Sequence, residues 1–296
     1  MPSRLVLLMR DTSPGRVAVL IAAVVLSGGS LARAAQAQTS VNHVIDRLGQ
    51  NQPAIGTFAR TAQIGLDFVV IDQQYGEFEI DNVRQALAAI RGDPGGPSAT
   101  PIVRIPYDAK DAPAAVVGQL LDAGVFGVMF PDIETKAQAR TAIASMRFGS
   151  LDGRSETEPA GRRLPVAGSA PPNLGLSVAD YRAQADVWPL DASGKLVAML
   201  QIESLAGIEH LAEILEVPGI GAIFLGPTDL AVSAGEDGPN APGVEALVQE
   251  VLAVCLARNV PCGYPIVAST RAEADRETAR RLEEGFKVLA VMITGR

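Results

Sequence analysis

The chain is poor in the side chains that most often announce chemistry. Of its 296 residues only Cys255 and Cys262 are cysteines and only His43 and His210 are histidines. Two cysteines are too few for a structural zinc site or a disulfide scaffold. Cys255 falls in a helical pattern and Cys262 in the next strand, which predicts two buried free thiols, with one disulfide as the alternative. Aromatics make up only 4%, so a core must come from Val, Leu, Ile and Ala. Positive charge is in deficit: 25 Lys and Arg against 33 Asp and Glu give a net charge of -8. That balance excludes a nucleic-acid partner, whose phosphates need a basic footprint, and leaves a small soluble ligand. No glycine-rich dinucleotide fingerprint follows the first strand, and no internal repeat or heptad pattern is present.

A long apolar run is also missing. Residues 17–26 form the apolar stretch at the N-terminus, shorter than the roughly 18–20 residues of a membrane-spanning helix. Arg4, Arg10 and Arg16 precede it and the small-x-small triplet Ala35-Gln36-Ala37 follows, the pattern of a secretory signal over residues 1–37. This pattern predicts a periplasmic or secreted protein without stable membrane insertion after cleavage, with an uncleaved anchor as the alternative. No adjacent arginine pair is present, which favours general export over the twin-arginine route. Residues 38–296 then form a single domain, and a 48% hydrophobic content suits one large α/β unit.

What the chain does have is rhythm. After an opening helix at 41–49, strand-like runs occur at 54–58, 68–72, 101–104, 127–130, 196–202, 222–225, 262–265 and 288–293. Helical patterns fall at 81–91, 112–123, 135–147, 178–185, 208–215, 244–258 and 271–284. Apolar strands separated by amphipathic helices are buried on both faces, which means a parallel sheet. Eight such units predict a (β/α)8 TIM barrel; a doubly wound open sheet is the alternative. Residues 148–175, rich in glycine and proline, break the rhythm. A long loop of this kind is usually functional or disordered, and the expectation is a lid or inter-subunit arm leaving near the active face, or else an insertion without a role.

Polar residues gather at the predicted strand ends: Asp72 with Gln73 and Gln74, Arg104, Asp132, Gln201 with Glu203, and Asp229. Barrel closure would bring them to one face. Glu203 and Asp229 each follow a buried strand, where a carboxylate is costly unless a cation compensates it. Oxygen ligands without nearby His or Cys select Mg²⁺ or Mn²⁺. Arg104 would hold a substrate carboxylate and stabilise an oxyanion beside the ion. The alternatives are helix caps for the two acids and an internal ion pair for Arg104.

Gln201-Ile202-Glu203, Gly226-Pro227-Thr228-Asp229-Leu230, Pro101-Ile102-Val103-Arg104 and Leu120-Leu121-Asp122-Ala123-Gly124 together resemble the HpcH/HpaI aldolase family. These are metal-dependent pyruvate aldolases related to the citrate lyase β-subunit, and the similarity runs from about Ala54 onward. The resemblance implies a barrel of the phosphoenolpyruvate/pyruvate-binding type and a carbon–carbon lyase acting on 2-oxo or 4-hydroxy-2-oxo acids through a pyruvate enolate. It implies Glu203 and Asp229 as metal ligands, Arg104 as the enolate-stabilising group, and Gln201 and Asp72 beside the substrate. Backbone N–H groups near Gly124 and Val125 would receive the pyruvate carboxylate, and Asp122 would be the aspartate that partners the family's base.

That base is a histidine in an Asp-x-Glu-His sequence; here the segment reads Asp72-Gln73-Gln74-Tyr75. Tyr75 stands either as a proton-transfer group, despite an ordinary phenol pKa near 10, or as a wall of the pocket. The loss keeps open an oxoacid decarboxylase and a non-catalytic exported metal- and oxoacid-binding protein. The resemblance also implies a further helix after the last strand, where this sequence has Ile293-Thr294-Gly295-Arg296, and a possible homo-oligomer.

Overall fold

Parallel strand pairing runs around a complete circle. The computed structural model describes residues 41–60, 65–75, 78–90, 99–149, 159–163, 168–174 and 176–295; the expected signal over residues 1–37 lies outside them. The chain runs α1 (His43–Gly49), β1 (Ala54–Phe58), β2 (Phe68–Asp72), α2 (Ile80–Ile90), β3 (Thr100–Arg104), a 3-10 turn (Tyr107–Ala109), α3 (Ala114–Ala123), β4 (Gly127–Phe130) and α4 (Lys136–Met146). It continues through α5 (Ala170–Asn173), α6 (Val178–Gln184), β5 (Val187–Trp188), β6 (Leu196–Ile202), α7 (Leu205–Glu209), α8 (Leu211–Ile214) and β7 (Ala222–Leu225). Last come α9 (Pro227–Ala234), α10 (Pro242–Arg258), β8 (Cys262–Ala268), α11 (Arg271–Glu284) and β9 (Val288–Ile293).

The sheet order is β4-β3-β2-β1-β9-β8-β7-β6-β5, and β4 pairs with β6 to close it. All pairings are parallel, so every main strand ends on one face, and β5 is a short addition at the start of β6. The barrel interior is filled by alternate strand residues, among them Phe68, Val70, Ile102, Met129, Met199 and Phe224. The opposite strand faces pack against the helices in a second, larger apolar layer. Inside the barrel, Gly263 leaves room for one large ring: a Cβ there would run into the Phe224 ring and the Val288 carbonyl.

Local sequence sets the helix ends. Thr135 and Gln138 form a reciprocal capping box at the start of α4. Ser177, Ser204 and Thr270 accept a backbone N–H at the starts of α6, α7 and α11. Gly124, Gly235 and Gly285 take left-handed conformations at the ends of α3, α9 and α11.

The end of the barrel opposite the strand C-termini is plugged by α1. Asn42, fully buried, donates through Nδ2 to the Phe126 carbonyl at 3.1 Å and the Lys195 carbonyl at 2.8 Å, and its Oδ1 accepts from Ile45 N–H. Val44 and Ile45 follow it into the barrel interior.

Several expectations need correction. The helix expected over 208–215 is two short helices, α7 and α8, with His210 between them and its Nδ1 3.0 Å from the Ala206 carbonyl. Helix α9 falls outside the helical patterns read from the sequence; Pro227 occupies a first-turn position, where the missing N–H costs nothing. Segment 148–175 does not leave near the strand C-termini. Helix α4 has already carried the chain back to the other end of the barrel, and the described part of the segment stays there. Phe148 pairs with Arg163, Arg163 donates to Asp122 at 2.7 Å, and Ser169 N–H bonds the Asp122 carbonyl. Arg147 forks onto Asp186 at 2.7 and 2.9 Å and reaches the Pro159 carbonyl. Cys255 and Cys262 are free and buried. Among the described residues no helix is long and apolar enough to cross a membrane.

Candidate metal and substrate site

Barrel closure puts Asp72, Arg104 and Glu203 at the same end. Parallel register sets Asp72 directly beside Arg104 on adjacent strands. Arg104 Nε donates to Asp72 Oδ1 at 2.9 Å, and Nη2 donates to Oδ2, a fork that fixes the guanidinium plane. Phe58 and Tyr75 flank the same cation, their ring centroids 5.1 and 5.6 Å from its central carbon.

Glu203 follows β6 and is only 3% exposed. Its Oε1 accepts from the Asp132 N–H and its Oε2 from Gln201 Nε2, both at 2.9 Å. Asp132 can aim its N–H this way because it sits in the left-handed region, φ 48°, which Asp tolerates better than most side chains. Gly226, between β7 and α9, lies against the carboxylate so closely that a Cβ there would collide with Oε2. Asp229 stands in the first turn of α9 and lines the same pocket as Glu203.

Electrostatics show the cost of placing these two acids together. Burial, then the charge of Asp229, raise the Glu203 carboxyl to about 7, with Arg104 and the Asp132 N–H only partly opposing them. Burial also raises Asp229. Two acids pushed towards protonation by desolvation and by neighbouring carboxylates, Glu203 by Asp229 and Asp229 by Asp132, fit a divalent cation beside them. Gln201 Oε1, buried without a partner, is a further hard oxygen beside Glu203. Among the described residues no three His, Cys, Asp or Glu side chains are placed to hold one ion, so two carboxylates would leave most positions of an Mg²⁺- or Mn²⁺-like ion to water and ligand.

Two cavities meet here. The larger, about 1020 Å³, holds Asp72, Arg104, Gln201 and Phe58; the smaller, about 420 Å³, holds Glu203, Gln74 and Asp132. Asp229 and Tyr75 line both. Tyr75 is 69% exposed, and burial of its ring base together with the charge of Asp229 raises its phenol above the usual value of 10.0, against the pull of Arg104.

The structure thus brings together Asp72, Tyr75, Arg104, Gln201, Glu203 and Asp229. It does not bring Asp122, Gly124 or Val125 to them. Asp122 is on the last turn of α3, Gly124 is that helix's C-cap and Val125 leads into β4, so all three lie at the opposite end of this subunit's barrel. The Gly124 and Val125 N–H groups are already used by the Leu121 and Leu120 carbonyls, and Asp122 is paired with Arg163. Reading Leu120–Gly124 as a pocket element overlooked that barrel helices run back from the site. His43 and His210 line neither cavity. Sequence reasoning also missed Tyr107 and Lys110. Tyr107 donates to Asp132 Oδ2 at 2.9 Å and Lys110 Nζ lies 3.5 Å from the same oxygen. They occupy an aperiodic βα loop, and only their nearness in sequence to Arg104 could have flagged them.

A family model described as HpcH/HpaI aldolase/citrate lyase matches residues 48–291. A 5-keto-4-deoxy-D-glucarate aldolase of Salmonella paratyphi A is 29% identical over 228 residues, covering 77% of each chain. Among solved structures, an HpcH/HpaI aldolase/citrate lyase family protein from Burkholderia cenocepacia superposes with TM-score 0.66 at 26% identity, covering 84% of this chain and 92% of that one. An HpcH/HpaI aldolase from Desulfitobacterium hafniense shares the fold, with TM-score 0.65 at 21% identity over 83% of this chain and 88% of the other.

Proposed function

Because the chain belongs to the HpcH/HpaI aldolase/citrate lyase family, a family of metal-dependent carbon–carbon lyases, we propose that its barrel mouth makes and breaks the C3–C4 bond of a 4-hydroxy-2-oxoacid, one carbon removed from the keto group, with pyruvate as one product. The observation that carries this reading is the buried Glu203, raised to about 7 beside Asp229 at the strand ends. Glu203 and Asp229 would hold Mg²⁺ or Mn²⁺, which supplies Lewis-acid polarisation of the oxoacid carbonyl when bound.

The protein's own groups do the rest. Asp72 holds Arg104 in one orientation, so the guanidinium meets negative charge developing on the ketone oxygen without reorganising. Gln201 and the Asp132 N–H each occupy one lone pair of Glu203 and fix how the carboxylate faces the pocket. Phe58 and Phe224 supply apolar walls.

Purified protein supplied with Mn²⁺ and a panel of 4-hydroxy-2-oxoacids should release pyruvate and exchange the pyruvate methyl protons with solvent. Glu203→Gln should abolish both, together with Mn²⁺ binding. Wild-type protein that binds Mn²⁺ but gives neither exchange nor release would refute the proposal.

Tyr75 favours a second reading. A phenol raised above 10 at the mouth is a poor base at neutral pH, whereas decarboxylation of an oxaloacetate-like acid needs no base at a hydroxyl. Oxaloacetate loss outpacing every aldol cleavage would select it. We further propose that the protein acts after export as a periplasmic or secreted enzyme, on the strength of residues 1–37; N-terminal sequencing of the mature chain tests this.

A further inference from the structure

We infer that the smaller pocket is the binding site for an uncharged, hydroxyl-bearing substrate half, and that Gln74, Tyr107 and Ser233 recognise it. This rests on the lyase reading, since it assigns the part of the substrate that does not contact Arg104.

The decisive group is Gln74. It is 7% exposed, lines the smaller pocket, and its Oε1 is buried with no hydrogen-bond partner. Only its backbone N–H is engaged, by Asp72 Oδ1 at 3.0 Å. A buried amide oxygen left unpaired costs free energy that a ligand hydroxyl would recover.

The rest of the lining offers the same chemistry. Tyr107 gives its proton to Asp132, so its oxygen presents lone pairs to the cavity. Ser233 Oγ accepts from Leu205 N–H at 3.0 Å, leaving its own proton to donate. Ser204 donates to Glu134 Oε1 at 2.8 Å and closes one side.

Charge decides against an anionic ligand. Asp132, Glu134, Glu203 and Asp229 all line this pocket, and among the described residues no Lys, Arg or His does. Lys110 stands behind Tyr107, shared between Asp132 and Asp111. A divalent ion would offset Glu203 and Asp229, and Lys110 offsets Asp132, but Glu134 stays uncompensated. A carboxylate entering here would be repelled, whereas a polyol finds donors and acceptors matched to its hydroxyls.

The test uses the full chain saturated with Mg²⁺ and pyruvate and reads binding by ligand-observed saturation-transfer NMR. Erythritol and erythronate are the probes, four-carbon polyols that differ by one carboxylate. Wild-type protein should bind erythritol in preference to erythronate. Gln74→Leu and Tyr107→Phe should each weaken erythritol about three- to tenfold, the worth of one hydrogen bond, while leaving pyruvate affinity unchanged. Tyr107 is half-exposed and the Phe ring keeps its packing, so that variant stays informative if Gln74→Leu folds poorly. Equal or better binding of erythronate, no erythritol binding, or variants that bind erythritol like wild type would overturn the inference. Persisting methyl exchange in pyruvate under any of those outcomes shows that this inference alone has failed and the lyase reading stands.

Discussion

Glu203 keeps its place because residue 226 carries no side chain. The glycine there does not adopt a left-handed conformation; it is needed because Oε2 of the carboxylate occupies the space of a Cβ. Gly226→Ala should therefore turn Glu203 away from Gln201 and Asp132, weakening Mn²⁺ binding more than tenfold by calorimetry while far-ultraviolet circular dichroism stays unchanged. Asp72, Arg104, Gln201, Glu203 and Asp229 were legible in sequence because a charged or amide side chain at the end of a buried strand is conspicuous. Gln74 was visible only as a departure from a motif. That its amide lacks a partner is a fact of packing, which no one-dimensional pattern carries. Asp122, Gly124 and Val125 misled for the complementary reason: a motif names residues without saying at which end of a barrel they stand.

Among elements, the α10–α11 pair shows how charge fixes helix position. Arg281, almost fully buried and stacked 4.0 Å over the Tyr264 ring, forks onto Glu245 at 2.8 and 2.9 Å and also reaches Glu277 and Glu284. Burial pushes the Glu245 carboxyl up, but hydrogen bonds from Arg281, Gln249 and Arg280 outweigh it and hold the group at about 2, below the ordinary 4.5. A carboxyl lowered on folding stabilises the fold above its unfolded value and stops doing so as pH falls through its folded one. Thermal stability should accordingly fall between pH 4.5 and about 2, and Glu245→Gln, less stable at neutral pH, should show a shallower decline over that interval. Most strand limits could be read from the sequence because each strand is apolar throughout. Helix α9 could not, since Pro227 and Gly235 bracket it with the same residues that make loops. The split between α7 and α8 was hidden because both halves share one apolar pattern.

For the whole molecule, eight alternations of strand and helix announced the closed barrel, since each strand's continuous apolar run demands cover on both faces. The floor was not announced. Asn42 bridges the residues leading into β4 and β6, which are distant in sequence and adjacent only once the circle is complete. Asn42→Ala strips one helix cap and leaves two backbone carbonyls without this donor, so it should cost about 2–4 kcal/mol in urea unfolding. The site at the other end should retain its Mn²⁺ affinity in the folded fraction.

The same asparagine limits how far the chain can be shortened. Trimming from the N-terminus must halt before reaching it, because one step too far would pull the stopper from the cylinder. Fusion tags belong upstream of that boundary, with enough slack for the amide to seat itself.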